Sequence, residues 1–118
     1  MKFAAFTEAA RLKPDNPRYP LMRGIAILYY VAEIDSTQNP NGEDRSFLLG
    51  RAEEALNRAY RLSGSKLAVV HFYLGMLYIK KGEPLRAANA LEQYLRDNPQ
   101  ADNAATIRET IEQLRQKQ

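Results

Sequence analysis

The chain has 118 residues, 45% of them apolar and 26% charged, a composition typical of one globular domain and unlike that of a disordered or collagen-like chain. It contains no cysteine, which excludes a disulfide framework, a thiolate metal site and a cysteine nucleophile. The formal net charge is +3, but the basic residues are spread among acidic ones, so a nucleic acid partner is not expected.

No membrane-spanning segment is predicted. The longest apolar runs, residues 21–32 and 67–79, are shorter than the roughly 20 residues that a bilayer crossing needs. The N-terminal residues lack the continuous apolar stretch of a signal peptide, because Glu8 interrupts it. We therefore expect neither a membrane partner nor a signal peptide in this segment, and the sequence indicates no compartment.

Six amphipathic helices are predicted, because apolar residues recur every three or four positions between clusters of helix-breaking residues. They cover residues 2–13, 19–35, 44–62, 66–81, 84–97 and 102–116. No segment shows the strict alternation of apolar and polar residues that is typical of a half-buried strand. The predicted fold class is all-α.

The fourth and fifth predicted helices carry a recognisable pattern of small and large residues. Gly75 and Ala87 are small where two antiparallel helices would cross closely, and Pro99 ends the second helix because proline cannot continue it. The segment resembles the 34-residue tetratricopeptide repeat (TPR). The residues that carry the resemblance are Leu74, Gly75, Tyr78, Gly82, Ala87, Leu91 and Pro99. His71 and Tyr94 depart from it, since the family usually has a large aromatic residue and a small residue at these positions.

The same register recurs upstream with an interruption. Gly24 corresponds to Gly75, while Ala52, Leu56 and Ala59 match three second-helix positions of the repeat. Gly24 and Gly75 are 51 positions apart, about 17 more than the 34-residue period. We expect these extra residues to lengthen the helices around residues 36–44 and the loop itself. This repeat is degenerate, because Arg23, Ile27 and Gly64 replace the usual leucine, tyrosine and proline.

The resemblance implies a TPR-like superhelix of antiparallel helix pairs, forming one domain over residues 1–118. Residues 1–16 would be the second helix of a partial repeat, 17–66 an expanded repeat with a loop at 36–44, 67–101 a regular repeat and 102–118 a capping helix. Because an intact TPR domain does not normally begin with a second helix, we expect the chain to be a segment of a longer protein. The exposed partial repeat is then a candidate surface for homo-oligomers.

Few residues are arranged for catalysis or metal binding. His71 is the only histidine, and it lies within an apolar helix, where a packed histidine is the ordinary interpretation. The oxygen-rich loop 35–44 fails the calcium-loop pattern, because Pro40 occupies the position that needs glycine. Glu53 and Glu54 lie near arginines at helical spacing, as surface ion pairs do. We expect no catalytic residues, no metal and no cofactor, and hence no enzyme.

The resemblance also implies a partner-binding site, because the first helices of successive TPR repeats line a concave groove that holds a peptide or a partner helix. The residues at the groove positions are Arg18, Leu21, Ile25, Leu28, Tyr29, Val69, Phe72, Met76, Ile79 and Lys80. Most are apolar, in agreement with the nearly all-round apolar character of both first helices. Members that clamp the C-terminal carboxylate of chaperones have Lys and Asn where this chain has Leu21 and Ile25, so that activity is not expected.

Three functions are consistent with these features. The leading prediction is a noncatalytic protein–protein interaction scaffold that binds an apolar or amphipathic peptide or helix in the concave groove. The alternative is a structural spacer or accessory domain of a larger enzyme or of a secretion or assembly protein, with the groove filled by the loop, another copy or the parent protein. A third hypothesis, nucleic-acid binding through Arg51, Arg58, Arg61 and Lys66, predicts steeply salt-dependent retention on DNA or RNA.

Overall fold

The structure is a computed structural model that describes residues 16–36 and 42–116. This part of the chain contains five α-helices and no strand, which confirms the all-α class. The helices are α1 (Arg18–Ser36), α2 (Gly42–Ser63), α3 (Val69–Lys80), α4 (Pro84–Asp97) and α5 (Ala104–Gln116), with a short 3₁₀ turn at Gly64–Lys66. The sixth predicted helix, at residues 2–13, lies outside the described residues.

The helix boundaries agree with the predicted ones to within three residues. The largest difference is the start of α3, predicted at residue 66 and found at Val69. The 3₁₀ turn occupies the preceding residues, and it begins at Gly64, whose φ of 59° is accessible to glycine at little cost. Helix α2 begins at Gly42, two residues before its predicted start, so Asp44 lies in the first turn and does not cap the helix.

Two compact units make up the chain, Met1–Gly64 and Ser65–Gln118, whereas the sequence predicts a single domain. In the first unit α1 packs on α2, and in the second α4 packs on both α3 and α5. Contacts near the α1–α2 loop (Asp35 with Arg45) and far from it (Gly24 with Leu56) show that these two helices are antiparallel.

A glycine–leucine crossing occurs once in each unit. A Cβ atom placed on Gly24 would lie 2.8 Å from both Cγ and Cδ2 of Leu56, closer than packed carbon atoms approach one another. On Gly75 it would lie 2.7 Å and 2.6 Å from the same two atoms of Leu91. The carbonyl oxygens of Ala52 and Ala87 are 3.5 Å from these positions in both cases. The two helix pairs therefore cross in the same way at the positions that the sequence pattern indicates.

The first helix pair is longer than the second. Twelve residues lead from Gly75 to Ala87, but twenty-eight lead from Gly24 to Ala52. Beyond its glycine, α1 continues seven residues further than α3 does, and α2 begins seven residues earlier before its alanine than α4. The expected lengthening thus adds about two turns, or roughly 10 Å, to each helix and only two residues to the loop. Arg45 anchors the added turns through a two-point contact with Asp35, with N–O distances of 2.8 Å and 3.2 Å.

A tight turn joins α3 to α4 in the second unit. Gly82 has a φ of 74°, a left-handed conformation that favours glycine after a helix end. Its N–H donates to the carbonyl of Ile79, and the N–H of Glu83 donates to the carbonyl of Tyr78. Pro84 then starts α4, at a position where its missing N–H removes no helical hydrogen bond.

The core of each helix pair consists mainly of aliphatic and alanine side chains. In α2 the buried row continues from Leu56 and Ala59 to Ser63, whose hydroxyl donates to the carbonyl of Ala59 at 2.7 Å. Leu62 belongs to the predicted apolar face but is exposed, because Ser63 completes the four-residue spacing in its place. Leu85, in the first turn of α4, is also exposed.

Candidate partner-binding surface

Five predicted groove residues lie on α1, and the structure divides them into buried and exposed positions. Leu21 and Leu28 are only 8% and 5% exposed, so they are core residues of this chain. Ile25 is half-buried, Arg18 is exposed, and Tyr29 is 67% exposed.

Met22 was not predicted as a groove residue, but it is exposed and lies at helical spacing to Ile25 and Tyr29. We call Met22, Ile25 and Tyr29 the α1 stripe. The sequence alone offered a weak signal for Met22, since an apolar residue beside the predicted face of α1 can equally well be buried.

The other five predicted residues lie on α3, where the pattern of exposure differs. Met76 and Ile79 are 39% and 40% exposed, although their α1 counterparts are Ile25 and Leu28. Val69, Phe72 and Lys80 are half-buried. We call Phe72, Met76 and Ile79 the α3 stripe, because they follow one another at spacings of four and three residues.

Phe72 is held in place by two aromatic neighbours. Its ring meets that of Tyr73 edge to face at 5.2 Å and that of Tyr94 in a tilted arrangement at 5.5 Å. Tyr94 is buried, and its hydroxyl donates to Oδ1 of Asn103 at the start of α5. The large residue at position 94, where the TPR pattern has a small one, thus joins α3, α4 and α5 of the second unit.

A cleft between α1 and α2 was not predicted from the sequence. It has a volume of about 560 Å³ and lies entirely within the first unit. Its lining residues are Tyr19, Pro20, Arg23, Gly50, Glu53, Glu54, Ala55, Asn57, Arg58 and Arg61. The one signal in the sequence is Arg23, which replaces a leucine of the repeat pattern.

Arg23 is in an unfavourable electrostatic environment. Its Nε is buried and has no hydrogen-bond partner within the part of the chain that the structure describes. Burial lowers the pKa of Arg23, as does the positive charge of Arg51, while Glu54 acts in the opposite direction. The guanidinium remains charged at neutral pH but lacks full compensation.

His71 is half-buried on α3 and shows no features of a catalytic base. Burial lowers its pKa below the ordinary histidine value, and the negative charge of Asp97 acts against this shift. Across residues 16–36 and 42–116, no three His, Cys, Asp or Glu side chains are grouped as metal ligands. Among the helices that the structure describes, none has the length and apolar character needed to cross a membrane.

Comparisons with known proteins found no match to the chain among protein-family models, curated proteins or solved structures. The function must therefore be inferred from the two units themselves. Their common features are the glycine–leucine crossing and a first helix with exposed apolar side chains.

Proposed function

We propose that this chain is a noncatalytic protein-interaction scaffold of the TPR type, and that its first helices bind an apolar or amphipathic segment of a partner protein. The observation that carries the proposal is the pair of apolar stripes. Met22, Tyr29, Met76 and Ile79 stay exposed after each unit has buried its own core. Single exposed apolar residues are ordinary, but rows on the first helix of both units are typical of interaction surfaces.

The repeated crossing supports the assignment to a repeat class. Gly24 with Leu56 and Gly75 with Leu91 give nearly identical contact distances, and each pair has an alanine carbonyl at the same separation. Two helix pairs built on one packing rule are characteristic of repeat architectures, in which first helices recur on one side. This geometry is independent of the sequence resemblance, because it compares distances within the chain alone.

The expected affinity follows from the area that the stripes offer. Full burial of one large apolar side chain contributes roughly 1.5–3 kcal/mol, so six side chains that each bury half of their surface contribute about 5–10 kcal/mol. Association and ordering cost several kcal/mol, which leaves an affinity of roughly micromolar or weaker for a short peptide. A partner that binds much more tightly would need further contacts.

A peptide-display selection with the full chain as bait tests this function. We expect it to enrich amphipathic helical peptides, and we expect the double variant Ile25→Asp, Met76→Glu to lose their binding, since both charges would need desolvation. Leu85→Glu is the matched control, because Leu85 is an exposed apolar residue on a second helix. Circular dichroism of all variants verifies that they are folded.

Three results would contradict the proposal. A selection that enriches no peptide would favour the spacer function. Equal losses in the double variant and in Leu85→Glu would show that the stripes are not the binding surface. Enriched peptides that bind the double variant with unchanged affinity would place the site elsewhere.

A further inference from the structure

The α1–α2 cleft exists because two leucines of the second unit have no counterpart in the first. Superposing the two crossings aligns Arg23 with Leu74 and Gly50 with Leu85. Leu74 is buried in the second unit, whereas Arg23 is half-buried at the edge of the cleft. The same helix pair thus has a cleft in one unit where the other carries leucine side chains.

Gly50 has no structural reason to be a glycine. A Cβ atom placed on it would meet nothing within 4 Å, and its φ is not in the left-handed region. In the middle of α2, a glycine destabilises the helix relative to alanine. Gly24 is different, because Leu56 occupies the space that its side chain would need. The one effect of Gly50 that the structure displays is to keep the cleft open.

Arg23 gives the cleft its chemical character. Its Nε edge is buried without a hydrogen-bond partner in the described part of the chain, so a ligand in the cleft would meet the edge with the two terminal nitrogens. Arg51 adds a second positive charge nearby. A planar anion with two acceptor oxygens would form two parallel hydrogen bonds with that edge.

The remaining lining residues favour a singly charged anion. Arg58 and Arg61 add positive charge, but Glu53 and Glu54 line the same cleft and would repel a doubly charged phosphate. Tyr19 offers an aromatic surface for the apolar part of a ligand. The volume of about 560 Å³ is within the range of small-ligand and peptide side-chain sites.

We propose that the α1–α2 cleft is a carboxylate-binding site in which Arg23 holds the carboxylate end-on and Gly50 leaves room for it. The carboxylate belongs either to an acidic side chain of a peptide or to a small carboxylic acid. The site is separate from the α1 and α3 stripes, so it stands or falls independently of the proposed scaffold function.

Titration followed by NMR tests this site directly. The burial of the Arg23 Nε–H slows its exchange with water, and its signal is identified by its absence in Arg23→Lys. The probes are acetyl-Gly-Glu-Gly-amide, its glutamine analogue and acetate, each added to the full chain. We expect the glutamate peptide to shift the Arg23 signal saturably and the glutamine analogue to bind at least ten-fold more weakly. A comparable shift with acetate identifies a site for free carboxylates, and a shift with the peptide alone identifies a peptide site.

Two variants complete the test. Gly50→Leu puts the counterpart leucine into open space, so we expect a folded chain without the saturable shift. Arg108→Gln changes an exposed arginine on α5, away from the cleft, and should leave the titration unchanged. Equal shifts with the glutamate and glutamine peptides, no saturable shift with any probe, or undiminished binding by Gly50→Leu would each overturn the proposal.

Discussion

Substitution of Gly75 by alanine tests the helix crossing on which the repeat assignment depends. The new methyl group would lie 2.6 Å from Cδ2 and 2.7 Å from Cγ of Leu91. Leu91 is 1% exposed, and its Cγ is a branch point close to the backbone, so the side chain has little freedom to move away. The helices must therefore separate or Leu91 must leave its preferred rotamer.

The size of the effect follows from two opposing contributions. Overpacking of a buried contact costs about 1–3 kcal/mol. Replacing a helical glycine by alanine stabilises a helix by about 1 kcal/mol. Gly50→Ala has the second contribution alone, because no atom lies within 4 Å of the new methyl group. We expect Gly75→Ala to be less stable than Gly50→Ala by about 1–3 kcal/mol, the cost of the overpacking itself.

Urea denaturation followed by circular dichroism measures this difference. Adding Leu91→Ala to Gly75→Ala should cost less than the sum of the single changes, because the shortened side chain removes the close contact. Gly24→Ala should behave like Gly75→Ala, since Leu56 lies 2.8 Å from its new methyl group. If Gly75→Ala gained as much stability as Gly50→Ala, the close crossing would be refuted.

Three further predictions concern single side chains. Arg23→Leu should raise the free energy of unfolding by about 1–3 kcal/mol in urea denaturation, because it removes a buried donor without a partner in the described residues. Tyr94→Phe should lower it by about 0.5–1.5 kcal/mol, since the hydrogen bond to Asn103 is lost, and an unchanged midpoint would contradict this. Because burial lowers the pKa of His71, with Asp97 opposing the shift, the unfolded chain binds this proton more readily. Stability should therefore fall as the pH drops below the unfolded value of about 6.5, and His71→Gln should lack this part of the slope.

Much of the local structure could be predicted from the sequence. Apolar spacing and breakers placed α4 at its observed bounds, Pro84–Asp97, and the other described helices within three residues. The small residues Gly24 and Gly75 indicated the two crossings. These predictions succeed because helix periodicity and steric fit at a crossing depend on residues that are close in sequence or opposite one another in a hairpin.

The candidate sites were less accessible to sequence reasoning. Leu21 and Leu28 share the apolar character of Ile25, and no pattern distinguishes a core position from a binding position on a helix that is apolar nearly all round. Burial depends on which neighbouring element covers each side chain. Met22 and Tyr29 could therefore be identified as exposed only once α1 had been placed in its unit.

The sequence by itself determined the helical class, the helix bounds and the glycine positions that permit close crossing, because these follow from backbone preference and side-chain size. The tertiary structure alone decided that the inserted residues extend α1 and α2 by two turns each. It also decided that Arg23 and Gly50, 27 positions apart in the sequence, face the same cleft. A cleft is defined by the space between two helices, and that space depends on where their packing brings distant side chains together.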